Sequence, residues 1–129
     1  MGYNETARLE KLRSLHLLDT EPEQVFDSIT RIAASLTDTP MSAMSLVDAD
    51  RQWFKSKVGL RFSETPRTWS FCNHVVESGD PLLVEDASHD QRFKNHHLVR
   101  QSPYIRFYAG VPLKCLDGHT LGTLCVIDS

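Results

Sequence analysis

A cysteine and a histidine stand one residue apart in SFCNHVVE, residues 70–77. Cys72 and His74 are residue types that ligate metals, form activated thiols and anchor cofactors. If the segment is helical, residues two apart point to nearly opposite sides, so the pair cannot share one ion. With Ser70 as N-cap, Cys72 instead falls on the face of Val75 and Val76, which is a core stripe, while His74 turns away. A thiol in a first helical turn is also acidified by the helix dipole, so a buried small residue and a reactive nucleophile are both open readings of Cys72. His89, His96 and His97 lie in a polar segment with no Cys or carboxylate at a spacing that would complete a tetrahedral zinc site. No Gly-rich phosphate loop and no Ser-His-Asp order is present, and neither a catalytic set nor a metal site is assigned.

The elements that must position Cys72 follow from periodicity. Asn4 caps a first helix, residues 4–18, with Leu9, Leu12 and Leu15 as its apolar stripe. A second helix, residues 20–38, opens at Thr20 with Pro22 in its first turn and Glu23 at capping-box spacing. Its stripe is Val25 or Phe26, Ile29, Ile32, Ala33 and Leu36. From residue 40 to 128 the pattern becomes strand-like. MSAMSLVD and RQWFKSKVG meet at Ala49-Asp50, which sets Leu46 opposite Trp53 and Ser45 opposite Phe54. Residues 59–69 read as a loop, PLLVED as a short strand, and 86–103 as a long polar segment of the kind that forms lids.

The last hairpin, YIRFYAGVPLKC and TLGTLCVID, turns at Asp117-Gly118 and sets Leu116 opposite His119, Cys115 opposite Thr120, Pro112 opposite Thr123, Gly110 opposite Cys125 and Tyr108 opposite Ile127. Alternation then places Ile105, Phe107, Ala109, Val111, Leu113, Leu124 and Val126 on an apolar face beneath the helices. Arg106, Tyr108, Gly110, Thr123, Cys125 and Ile127 occupy the other, a mixed face suited to the wall of a small-molecule pocket. Over it lie Phe71, Cys72 and Val75 from the short helix, and a lid in which Arg92 pairs with Asp86 or Asp90 while Phe93 plugs the pocket.

With 129 residues, 40% of them hydrophobic, the chain supports one globular domain with one core. The net charge of -3, with acidic and basic residues interspersed, leaves no basic stripe for nucleic acid. No apolar run approaches the roughly 20 residues of a membrane span, and the N-terminus lacks a signal-peptide core. Three cysteines without a Cys-x-x-Cys spacing read as free thiols of a reducing compartment, and a cytoplasmic protein is expected.

RQWFKSKVGL, ETPR, SFCNHVV, PLLVEDASHDQRF, YIRFYAGVPL and GTLCVID, in this order, resemble a GAF domain. The likeness is to the type found at the N-terminus of bacterial diguanylate cyclases, cyclic-di-GMP phosphodiesterases and sensor histidine kinases. The resemblance implies an α+β fold: a central antiparallel sheet in the order 2-1-5-4-3, N-terminal helices on one face and a pocket covered by loops and a short helix on the other. It implies a non-enzymatic sensory module that binds an unknown small molecule and passes its state through the terminal helices to an output domain. The pocket candidates are Phe71, Cys72, Val75, Asp86, Phe93, Arg106, Tyr108, Thr123 and Cys125. It further implies a C-terminal helix after the last strand, where this chain stops at Ser129. The stripe of Leu9, Leu12 and Leu15 would then lack its partner, which predicts a homodimer through the N-terminal helix. Bilin-binding relatives carry a histidine directly after their cysteine, and Cys-Asn-His departs from that. The alternatives are a thiol redox enzyme like the free methionine-R-sulfoxide reductases, with Cys72 approaching Cys125, and a degenerate GAF domain that only dimerises.

Overall fold

The computed structural model describes residues 3–129. Its elements in chain order are α1 (Glu5–Ser14), α2 (Gln24–Thr37), β1 (Met41–Val47), β2 (Arg51–Val58), β3 (Glu64–Pro66), α3 (Cys72–Ser78), β4 (Leu82–Val84), α4 (His97–Arg100), β5 (Phe107–Lys114) and β6 (Thr120–Asp128). Single 3-10 turns at Arg67–Trp69 and Ala87–His89 precede α3 and follow β4. The strands form one antiparallel sheet in the order β3-β2-β1-β6-β5-β4. Without its first strand this is the expected 2-1-5-4-3 order. The addition is β3, expected as loop, which adds to the edge of β2 where Arg51, Gln52 and Trp53 pair with Pro66, Thr65 and Glu64.

The first hairpin has the expected register, Leu46 opposite Trp53 and Ser45 opposite Phe54, with a bulge between Met44 and Ser45 beyond it. The last hairpin also matches away from its turn: Pro112 faces Thr123, Gly110 faces Cys125 and Tyr108 faces Ile127. The turn itself differs. Gly118 N donates to the Cys115 carbonyl and Cys115 N to that of His119, so the loop has three residues, with Gly118 at φ 93° as its left-handed member. This moves the pairing by one, placing Lys114 rather than Cys115 opposite Thr120. The irregularity between Leu113 and Lys114 moves it back.

Both long helices lie on one face of the sheet. Leu12 of α1 is fully buried with Leu46, Trp53 and Leu121, and Leu9 packs at the rim of that cluster. Of the stripe expected to want a partner, Leu12 is buried by the chain's own sheet, Leu9 is half-buried and Leu15 stays 41% exposed. Helix α2 shows the opposite. It meets the sheet through Thr30 and Ala34, and Thr30 Oγ1 lies 2.8 Å from Ser56 Oγ, which donates in turn to Asp27 Oδ1 at 2.5 Å. The expected stripe faces outward: Val25, Ile29, Ile32 and Leu36 are 61, 38, 57 and 82% exposed. Small and hydroxyl side chains let the helix backbone approach the strands, and these bonds decide which face lies down.

Helix α2 also begins at Gln24 rather than Thr20, with no side-chain cap. Thr20 Oγ1, the Glu21 carbonyl and the Glu23 carboxylate converge on the buried Lys55 ammonium at 2.6, 2.7 and 2.7 Å. A buried ammonium needs partners, and the would-be capping residues supply them. Helix α1 ends at Ser14, short of the expected 18, because His16 and Asp19 adopt left-handed backbone.

Candidate functional site

The face of the sheet away from the long helices is covered by α3, α4 and the connections before and after them. At the start of α3, Asn73 N donates to Ser70 Oγ, the side-chain capping expected for Ser70. Cys72, Val75 and Val76 are buried, and His74, half-buried on another side, meets the Phe93 ring edge-on at 4.7 Å.

The expected pocket is almost full. Phe71 stacks on Phe93 with ring centroids 4.3 Å apart and on Tyr108 at 5.1 Å, and all three rings are at most 2% exposed. What remains is a cavity of ≈20 Å³ lined by Gln52 and Phe54 of β2, Tyr108 and Cys125 of the central strands, and the covering Cys72, Leu60, Phe62, Leu98 and Pro103. That is room for about one water molecule.

The polar groups at and behind the walls of this cavity are satisfied. Gln52 Oε1 accepts from Ser45 Oγ at 2.7 Å and Ser70 Oγ at 3.0 Å, and its Nε2 donates to Thr65 Oγ1 at 2.9 Å. Thr123 Oγ1 donates to Cys72 Sγ at 2.9 Å, and Tyr108 Oη lies 3.2 Å from the same sulfur. The Cys125 thiol completes the ring of groups around it. Hydrogen bonding from Cys125 outweighs desolvation and, with Thr123 and Tyr108, holds Cys72 below the ordinary cysteine range. The same bond and burial push Cys125 well up, and burial beside the two sulfurs pushes up Tyr108. Of the two sulfurs, Cys72 is the one that the Thr123 and Tyr108 hydroxyls meet.

Thus Phe71, Cys72, Phe93, Tyr108, Thr123 and Cys125 come together, with Val75 buried behind them. Asp86 and Arg106 do not. Asp86 is exposed and its carboxylate caps its own turn, accepting from Ser88 N and Ser88 Oγ and meeting His89 Nδ1 at 2.9 Å. Arg106 precedes β5 and donates to the carbonyls of Val99 and Ile105, pinning the preceding turn. Arg92 pairs with Asp90, at 2.8 Å, and not with Asp86. Ile105, expected beneath the helices, is buried on the pocket side because strand alternation begins only at Phe107. Sequence reasoning missed Gln52, Ser45, Leu60, Phe62, Leu98 and Pro103. Only the alternation of β2 carried a signal, since Gln52 must share a face with Phe54. Among the described residues, no three His, Cys, Asp or Glu side chains converge as a metal site, and no helix is long and apolar enough to cross a membrane.

A family model described as GAF domain matches residues 21–129. Over 125 residues the chain is 40% identical to a cyclic di-GMP phosphodiesterase of Pseudomonas aeruginosa, covering 97% of this chain and 21% of that protein. The chain thus spans about a fifth of this relative. Among solved structures, it resembles the GAF domain of an Acinetobacter phosphoenolpyruvate-protein phosphotransferase, with TM-score 0.65, 15% identity and coverage of 99% of this chain and 78% of that one. It is similar in fold to a free methionine-R-sulfoxide reductase of Neisseria meningitidis, with TM-score 0.66, 19% identity and coverage of 96% and 72%.

Proposed function

The chain belongs to the GAF family, and from that premise we propose that it is the sensory module of a cytoplasmic bacterial signalling protein. Its ligand is a small, mostly apolar molecule with one hydrogen-bonding group, held between the sheet and the 59–103 segments. The observation that carries this reading is the buried polar cluster of Gln52, Ser45, Ser70, Thr123 and Tyr108, of which Gln52 and Tyr108 line a cavity otherwise walled mostly by apolar side chains. A face needed only for packing gains nothing from so many polar groups, whereas a binding site pairs apolar walls with a few placed polar atoms. In the closed state these groups satisfy one another, and Phe71 and Phe93 occupy the guest's place. A ligand binds by favouring a state in which the lid around Leu60 and Phe62 has moved, and only that difference in affinity carries a signal.

By likeness to the phosphodiesterase, the output is the turnover of cyclic di-GMP by a domain elsewhere in a longer chain. Transmission runs through the helices on the opposite face, where a second copy docks on Val25, Ile29, Ile32 and Leu36 of α2. The test is a calorimetric and native mass-spectrometric screen of small apolar amides, alcohols and acids, with hydrogen exchange of residues 59–63 as the readout of lid opening. A binder that leaves that exchange unchanged, or no binder at all, would defeat the ligand reading. The near-absence of free volume favours a second reading, a GAF domain that dimerises without a ligand. It predicts a dimer whose stability no small molecule in the screen alters.

A further inference from the structure

We propose that Cys72 and Cys125 are a peroxide-oxidised dithiol: Cys72 is the attacking sulfur, Cys125 resolves it, and the product is a disulfide that ties α3 to β6 under the pocket. The site does not depend on a pocket ligand or on any output domain.

The first support is placement. Both sulfurs belong to one buried cluster and both line the ≈20 Å³ cavity. They come from separate elements, the first turn of α3 and the middle of β6, so a bond between them would join parts of the fold that otherwise only pack. The second is chemistry. Cys72 Sγ is met by Thr123 Oγ1 at 2.9 Å, Tyr108 Oη at 3.2 Å and the neighbouring thiol. Hydroxyl and thiol donors gathered around one sulfur favour its anion, the form that attacks an oxidant. Tyr108, pushed up by burial, stays protonated as one of those donors. The third is size. A space for about one water admits hydrogen peroxide, which is little larger, and excludes bulky oxidants.

The steps balance. The Cys72 thiolate attacks one oxygen of hydrogen peroxide, the O–O bond breaks, and the departing oxygen takes up the proton released by the thiol, giving Cys72 sulfenic acid and water. The Cys125 sulfur then attacks the sulfenic sulfur, the S–O bond breaks, and a second water leaves. Sulfur loses two electrons in all and peroxide gains them. Cys115 takes no part: it sits at the last hairpin, outside the cluster, with its thiol pushed up by burial and Asp117.

The test uses the reduced protein with Cys115→Ser, because Cys115 and Cys125 share one tryptic fragment, residues 115–129, while Cys72 lies in residues 68–92. After a modest excess of hydrogen peroxide, non-reducing peptide mapping should show these two fragments linked, with the link lost on reduction and formed at least tenfold faster in the folded protein than in urea. In a second protein carrying Cys115→Ser and Cys125→Ser, dimedone should trap a sulfenic acid at Cys72. The idea is overturned if the folded protein yields no linked fragments, or forms them no faster than the unfolded chain. If the second variant fails to fold, the linkage rate in the first decides alone.

Discussion

Phe71 and Phe93 lie face to face, ring planes 8° from parallel and centroids 4.3 Å apart, so the residue that opens α3 is clasped by the segment 86–96 that follows β4. Stacking of this kind adds to the area the rings bury. Truncating Phe93→Ala should cost about 3–5 kcal/mol, the range for removing a buried phenylalanine, measured by urea unfolding. The cavity left behind is apolar on most sides, so the variant should bind benzene or indole in calorimetry while the parent does not.

Gln52 holds Ser45, Ser70 and Thr65 at once. Gln52→Leu roughly keeps the volume but takes a partner from three buried hydroxyls, of which Thr65 keeps the Pro66 carbonyl and Ser70 the Asn73 amide. Each lost partner costs about 1–3 kcal/mol less whatever rotation recovers. The expected loss is about 2–3 kcal/mol, with faster amide exchange in β3, whose Thr65 loses its anchor.

Glu5 accepts from Arg8 and Arg67 and is held by them near a pKa of about 2, although desolvation pushes the other way. Its folded pKa lies below the free value of 4.5. Its stabilising contribution is therefore complete above that value and lost as pH falls toward about 2. Glu5→Gln should be less stable than the parent at neutral pH, with the two unfolding curves converging across that interval. A constant gap from pH 6 to pH 2 would contradict this.

Ile32→Glu alters the outward stripe of α2 without touching its packed side. Its effect on monomer stability should stay within about 0.5 kcal/mol, as for an exposed substitution. If two copies meet there, sedimentation should show the parent as a dimer and the variant as a monomer at the same concentration.

The parts of the fold that were legible in the sequence are those fixed by neighbours along the chain. The Ala49-Asp50 turn set the register of the first hairpin, while in the last one a three-residue turn and a bulge offset each other so that the pairing holds from Leu113 inward. Ser70 set the phase of α3, which put Cys72 inward and His74 aside. What could not be read depends on distant partners. The start of α2 was decided by Lys55, some thirty residues on, which takes up the residues that would have capped it. Its amphipathic stripe was correctly located, yet periodicity says only that a face is apolar, not that the chain itself covers it. Asp86 and Arg106 looked like site residues by type, but each spends its hydrogen bonds on backbone or side chains close by. Gln52 was overlooked because a polar residue in a strand reads as exposed until its three buried partners are known.

The sheet is two local hairpins, β1-β2 and β5-β6, joined along β1 and β6, where Met41 pairs with Ile127 and Ser45 with Thr123. Each hairpin closes a short loop, but the seam joins residues about two thirds of the chain apart, from Met41 with Ile127 to Leu46 with Gly122, and that closure entropy falls due before any of the seam's contacts form. The rate of folding is therefore governed along β1 and β6. At Gly122, where an added Cβ would strike the Ser45 carbonyl oxygen, even one methyl group acts on the search for the native pairing as well as on its final strength.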